Sequence, residues 1–179
     1  MQQTEQKFTE LFKKEPIKSI DFYNVEEKYL SFNEDKQWVI RGGIEFIFES
    51  QTISWGWSNE MHLYELIDSD LDPLIGELDV YELEIGELPI IEKLRGQKIT
   101  NINFKWTFYQ EMNEDMELSD EKTYIPQELK IKFEDGTSMQ IATVVFQIKG
   151  AEIYAPSYDP QGALLISVNG ELEISETEE

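Results

Sequence analysis

Apolar residues recur at helical spacing only near the start of the chain. Phe8, Leu11 and Phe12 mark one face of a short helix over residues 4–14, with Thr4 placed to cap it and Pro16 to stop it. From there the pattern alternates. Residues 17–23, 29–32 and 38–41 each read as strands. Gly42-Gly43 breaks the last of them, and 44–48 starts another. Ile53, Trp55 and Trp57 fall on one face of a further strand, because side chains repeat every second residue.

Residues 60–86 mix apolar and acidic positions around Pro73 and Gly76, which predicts an irregular connection with a strand near 80–85. Pro89 and Gly96 bracket one or two helical turns over 89–94. The second half alternates more regularly. Ile102, Phe104, Trp106 and Phe108 share one face of a strand over 99–109, and Leu129, Ile131 and Phe133 share a face of another. Asp135-Gly136 predicts a tight turn into a strand over 139–148. Asn169-Gly170 predicts a type I′ hairpin between 164–168 and 172–174. The whole predicts a single α+β domain over 1–179: mainly antiparallel and β-rich, with one or two short helices and a frayed tail over about 175–179.

Composition changes the picture by exclusion. The 179 residues carry 37 acidic and 15 basic side chains, a net charge of −22, with one histidine and no cysteine. Disulfides, thiolate metal sites and a Cys nucleophile are excluded, and His62 alone cannot build a multi-histidine zinc site. The 12% aromatic content separates the chain from acidic disordered sequences. The charge argues against binding nucleic acid or anionic membrane, since phosphates are held by clustered Lys and Arg. No apolar run approaches the ~18 residues of a spanning helix, and the N-terminus has no secretory pattern, so a cytoplasmic location is expected.

The acids are unevenly placed. No basic residue falls between Arg41 and Lys93, or after Lys149, and a third acidic cluster comprises Glu111, Glu114, Asp115, Glu117, Asp120 and Glu121. Such a field attracts cations or a basic partner.

Candidate chemistry is sparse. His62 has Ser54 and Ser58 nearby in sequence, but no nucleophile elbow, and reads as a strand-edge or surface residue. Asp68-x-Asp70-x-Asp72 resembles the opening of a calcium loop. Pro73 stands at the sixth position in place of Gly, and the twelfth is Asp79, so these three are weak candidates for some other cation site, set against an acidic surface loop; no cofactor or metal is expected. Paired carboxylates suited to glycoside chemistry would arise by chance among 37 acids. Trp55, Trp57, Trp106 and Tyr109 follow strand alternation, as core and cross-strand residues do. Residues 111–121 join two strands and interleave Met112, Met116 and Leu118 with acids, which suits either a solvated loop or a surface for a basic protein.

The segments LKIKFEDGTSMQIATVVF (129–146) and YAPSYDPQGALLISVNGELEI (154–174), with the small, Cys-free, acidic, β-rich character of the chain, resemble immunity proteins of bacterial polymorphic-toxin and contact-dependent inhibition systems. The resemblance implies a cytoplasmic inhibitor, not an enzyme, that binds a basic toxin domain. It transfers no catalytic residue. On that reading the acidic cluster would form the partner surface, with Tyr109 or Tyr124 as desolvated anchors. The alternatives are a carbohydrate-related or cation-assisted enzyme, which requires a pocket with two carboxylates over an aromatic floor, and an acidic adaptor without a toxin partner.

Overall fold

The computed structural model describes residues 1–32, 36–110, 118–120, 122–146, 148–149, 152–153 and 156–175. Burial alternates strictly along the first strand, β1 (Ser19–Asn24), where Ile20, Phe22 and Asn24 point inward. The chain continues through β2 (Leu30–Phe32), β3 (Gln37–Ile40), β4 (Gly42–Ile47), β5 (Thr52–Ser58) and β6 (Leu63–Ile67), then β7 (Tyr81–Glu82), β8 (Ile99–Tyr109) and β9 (Thr123–Phe133). It ends with β10 (Ser138–Val145), β11 (Ile148–Lys149), β12 (Glu152–Ile153), β13 (Ser157–Tyr158) and β14 (Ala163–Val168). One sheet has the order β6-β5-β4-β1-β7. The other runs β2-β3-β14-β10-β9-β8, with β13 also paired to β10, and every strand pairing in both is antiparallel. The fold is therefore an α+β one dominated by antiparallel sheet, as the alternation predicts.

Only Arg41 separates β3 in the second sheet from β4 in the first, so the chain changes sheet at a single residue. Gly42 sits where an added Cβ would collide with the Tyr23 carbonyl, which accounts for glycine at this crossing. Trp38 and Ile40 from β3, Ile44 and Phe46 from β4, and Leu129, Ile141 and Leu164 from the second sheet bury into one core between the layers. Helix α1 (Gln2–Lys14) buries Phe8 and Phe12; Phe12 packs edge-on to Phe46 at 5.1 Å and against Phe104 at 6.5 Å. Each such fully buried aromatic stabilises the fold by about 1.5–3 kcal/mol. The helix thus closes the edge of the sandwich beside β8.

The outer face of each sheet carries its own small cluster. On the first, Leu71, Leu74 and Ile75 from the segment around helix α2 (Asp72–Ile75) cover Tyr23 and Ile67. On the second, Leu172 and Ile174 pack against Ala142, Val144, Tyr158 and Leu165.

Several elements differ from the sequence expectation. Helix α1 starts two residues early, with Thr4 inside its first turn and Met1 at the cap position. Gly42-Gly43 does not end a strand but opens β4. The connection over 60–86 holds the complete strand β6 and helix α2, and the strand expected near 80–85 shrinks to β7 followed by a 3₁₀ turn over Glu84–Glu87. The Asp135-Gly136 turn forms as expected, with Gly136 at φ +90°. Asn169 also adopts a left-handed conformation, at φ 56°, yet no hairpin follows. Both edges of β14 are already taken by β3 and β10, so 171–174 crosses onto the outer face instead. Ser175, expected to be frayed, bridges to Ser157; residues 176–179 lie outside the described set.

Candidate functional site

The longest ladder, β8 with β9, projects as a ribbon whose far end carries two aromatic rings. Phe108 lies opposite Tyr124 in the register, and the rings meet in a T-shaped pair at 6.1 Å. Both stay open to solvent, 45% for Phe108 and 44% for Tyr124. The Lys122 ammonium lies 3.9 Å from the Phe108 ring centre. Exposed Leu118 and Asp120 flank Ser119, whose carbonyl accepts the side-chain amide of Gln110, the residue after Tyr109, at 2.6 Å. The tip therefore combines apolar rings, an exposed leucine and a carboxylate.

Sequence alternation places Phe108 with the buried face of Ile102. The register irregularity between Lys105 and Trp106 leaves an extra residue in β9, not in β8; along that face of β8 burial falls from Ile102 through half-buried Phe104 and Trp106 to exposed Phe108 at the far end of the strand. Of the expected anchors, Tyr124 is at the tip. Tyr109 is half-buried, and its hydroxyl donates to Met61 Sδ at 3.7 Å, in the turn before β6. Asp120 is exposed at the tip, whereas Glu111, Glu114, Asp115, Glu117 and Glu121 lie outside the described residues.

The remaining candidates are not assembled into chemistry. Asp68 pairs with Lys7 at 3.3 Å, Asp72 opens helix α2, and among the described residues no three potential metal ligands gather. His62 occupies a turn at φ 55°, its ring 6.3 Å from Trp57. Ser54 donates its hydroxyl to the Ser69 carbonyl, and Ser58 accepts the Met61 N–H, so the two serines serve the local backbone. Trp55 is fully buried. Trp57 packs edge-on to Tyr64, and Trp106 stacks on Phe104 and donates to Glu5 on α1 at 3.0 Å. These are packing roles.

Among the described residues two carboxylates are buried, Glu45 and Glu128; Glu128 on β9 accepts the Gln140 side-chain amide and pairs with Lys130 at 3.7 Å. Glu45, on the outer face of β4, accepts the Leu71 N–H and the Tyr23 hydroxyl, at 2.6 and 3.2 Å. Desolvation raises its pKa above the ordinary value, opposed by those two hydrogen bonds. Asp21, one row away on β1, is raised by the same cause. The Glu45 oxygens are committed to holding the 68–72 segment.

A concavity opens where the chain changes sheet. It is a cleft of about 1040 Å³ walled by Val39, Val144 and Ala163 of the second sheet and by Trp57 and Tyr64 of the first. Tyr29 and Phe146 add to its aromatic lining, and among the described residues Glu26 is the only carboxylate on it. The carboxylate pair that a glycosidase needs is not on this wall. Its mouth is built by Asn24. That buried side chain donates to the carbonyls of Glu26 and Lys28, at 3.0 and 2.7 Å, and accepts the Arg41 N–H at 2.5 Å. The turn carrying Glu26, Lys28 and Tyr29 is thereby fixed against the crossing residue. Sequence reasoning missed this cleft, because its residues come from seven separated stretches; the lone signal was an Asn ending one strand and an Arg preceding Gly-Gly.

No protein-family model, curated protein or solved structure matches the chain. Among the described residues no helix is long and apolar enough to cross a membrane.

Proposed function

We propose that this chain is a binding protein, a cytoplasmic inhibitor that neutralises a basic bacterial toxin domain by docking the tip of the β8–β9 ribbon against it. The observation that carries the reading is the exposed Phe108–Tyr124 pair, with exposed Leu118 and Asp120 a few residues before Tyr124, on a molecule of net charge −22. Interfaces concentrate their energy in desolvated aromatic anchors ringed by polar groups, and complementary charge speeds encounter and rejects wrong partners. A basic toxin surface supplies that complement. Inhibition proceeds by occlusion, so the chain is assigned no catalytic step.

Co-expression with the toxin encoded beside it tests the reading. The expected result is a co-purifying complex and rescue of toxin-expressing cells, both lost in a Phe108→Ala, Tyr124→Ala double variant. Absence of complex and rescue, or full rescue by the double variant, rejects it. A complex with a neighbouring protein that is not toxic would make the chain an acidic adaptor.

A further inference from the structure

We propose that the cleft at the sheet crossing is a binding site for a single-chain amphiphile, an apolar tail with one anionic head of carboxylate or phosphate type. This site is separate from the ribbon tip and does not depend on the partner reading.

The tail is argued from the walls. Half-buried Trp57 and Phe146 and the edges of buried Val39, Val144 and Tyr64 line the cleft, whose volume of about 1040 Å³ is at the upper end of the roughly 300–1000 Å³ that small-molecule sites occupy. Three large apolar side chains on the same lining, Leu30, Leu78 and Val145, remain exposed in the protein. A ligand lying along them would remove that surface from water.

The head is argued from charge. Arg41 and Lys28 both line the cleft, and Arg41 acts electrostatically on the Tyr64 phenol. Among the described residues neither cation pairs with a carboxylate, in a chain where acids outnumber bases by 37 to 15. Among the described lining residues Glu26 is the one acid against Lys28 and Arg41, so these residues carry a net positive charge inside a strongly negative molecule. Distant acids are screened over a Debye length of about 8 Å at physiological ionic strength, so the nearby cations decide which head is accepted. Burial keeps the Tyr64 phenol protonated, leaving a hydroxyl on the same wall as the guanidinium. The Asn24 hydrogen bonds fix the turn that carries Lys28 against Arg41, so the rim is ordered before a ligand arrives.

Calorimetric titration of the full chain, below micellar concentrations, tests this with dodecanoate, dodecyl phosphate, dodecanol and dodecyltrimethylammonium, alongside tryptophan fluorescence compared between the parent and a Trp57→Phe variant. The two anions are expected to bind saturably with one-to-one stoichiometry, more tightly than the alcohol and far more tightly than the ammonium. Tighter binding by one of them identifies the head. Arg41→Gln or Lys28→Gln should weaken the anions about tenfold, the worth of one charge-assisted hydrogen bond, without changing dodecanol binding. Leu30→Glu, at an exposed position, should exclude the anions. Saturable anion binding that either cation variant weakens supports the proposal. No saturable binding, equal binding of the anionic and ammonium amphiphiles, or indifference to both cation variants and to Leu30→Glu overturns it.

Discussion

The Glu45 carboxylate accepts the backbone N–H of Leu71 at 2.6 Å, from across the outer face of the first sheet. The same segment is tied a second time where Ser54 donates to the Ser69 carbonyl at 2.7 Å. Leu71 itself seats over Gly43 and Gly56, which are opposite each other in the β4–β5 ladder. A charged group, a hydroxyl and two missing side chains thus hold one loop on one sheet face.

Burial favours the neutral form of Glu45, so the folded state holds its proton more tightly than the unfolded chain does. Its contribution to stability is therefore complete below the ordinary carboxylate range and is lost as pH rises through the raised value. Glu45→Gln keeps an acceptor for Leu71 without that loss. Denaturant unfolding at several pH values should show the variant equal to or more stable than the parent at neutral pH, with a shallower decline between the ordinary and raised values. Glu45→Ala, which strands the buried N–H, should cost about 1–3 kcal/mol at low pH and less as pH rises through the raised value.

Gly56 and Leu71 should behave as a coupled pair. A Cβ on Gly56 would overlap Leu71 Cδ1, and one on Gly43 would come within 2.5 Å of the same atom. Gly56→Ala is expected to cost about 1–3 kcal/mol by overpacking. Leu71→Ala is expected to cost about 2–5 kcal/mol by leaving a cavity. The double variant should cost clearly less than the sum, because the new methyl group enters the space that the leucine leaves. A double-mutant cycle by chemical denaturation measures the coupling.

Such tertiary pairings explain what could be read in the chain and what could not. Local patterns were sufficient for β1, β5, β8 and the Asp135-Gly136 turn, because alternation and turn chemistry act within a few residues. Strand β6 was hidden: Leu63 and Tyr64 bury while Glu65, Leu66 and Ile67 are half-covered, which is neither alternation nor an apolar run. At Asn169-Gly170 only Asn169 is left-handed, and the predicted type I′ hairpin was vetoed by strands from distant parts of the sequence. Tyr124 is exposed, as a surface position should be. Phe108 was not legible as exposed, because alternation gives the face of a residue but not how far along the strand the core extends. The cleft was invisible for a related reason, since Asn24 and Arg41 become partners only when the chain changes sheet.

Asn24 should accordingly be more important than a polar residue at a strand end usually is. Asn24→Ala removes three part-buried hydrogen bonds, among them the one from the Arg41 N–H, for an expected loss of about 1–3 kcal/mol. Asn24→Asp retains the acceptor for Arg41 but not the two donations to Glu26 and Lys28. It should fall between parent and alanine variant in thermal unfolding, and hydrogen exchange should increase at residues 25–29 in both.

The ribbon tip should separate binding from stability. Phe108 and Tyr124 are exposed, and a cross-strand aromatic pair contributes only about 0.2–1 kcal/mol, so replacing either ring by alanine should barely move the unfolding midpoint. If the tip anchors a partner, the same changes should each weaken the complex by about 2 kcal/mol or more, chiefly through faster dissociation. Charge should act on the other rate. Neutralising Glu111, Glu114, Asp115 and Glu117 together should slow association at low salt and leave dissociation nearly unchanged, with the difference vanishing as salt is raised. Surface-plasmon-resonance kinetics at several ionic strengths resolves the two effects. An association rate indifferent to the acidic variant places the charged contact elsewhere on the molecule, and a dissociation rate indifferent to both rings removes the tip from the interface.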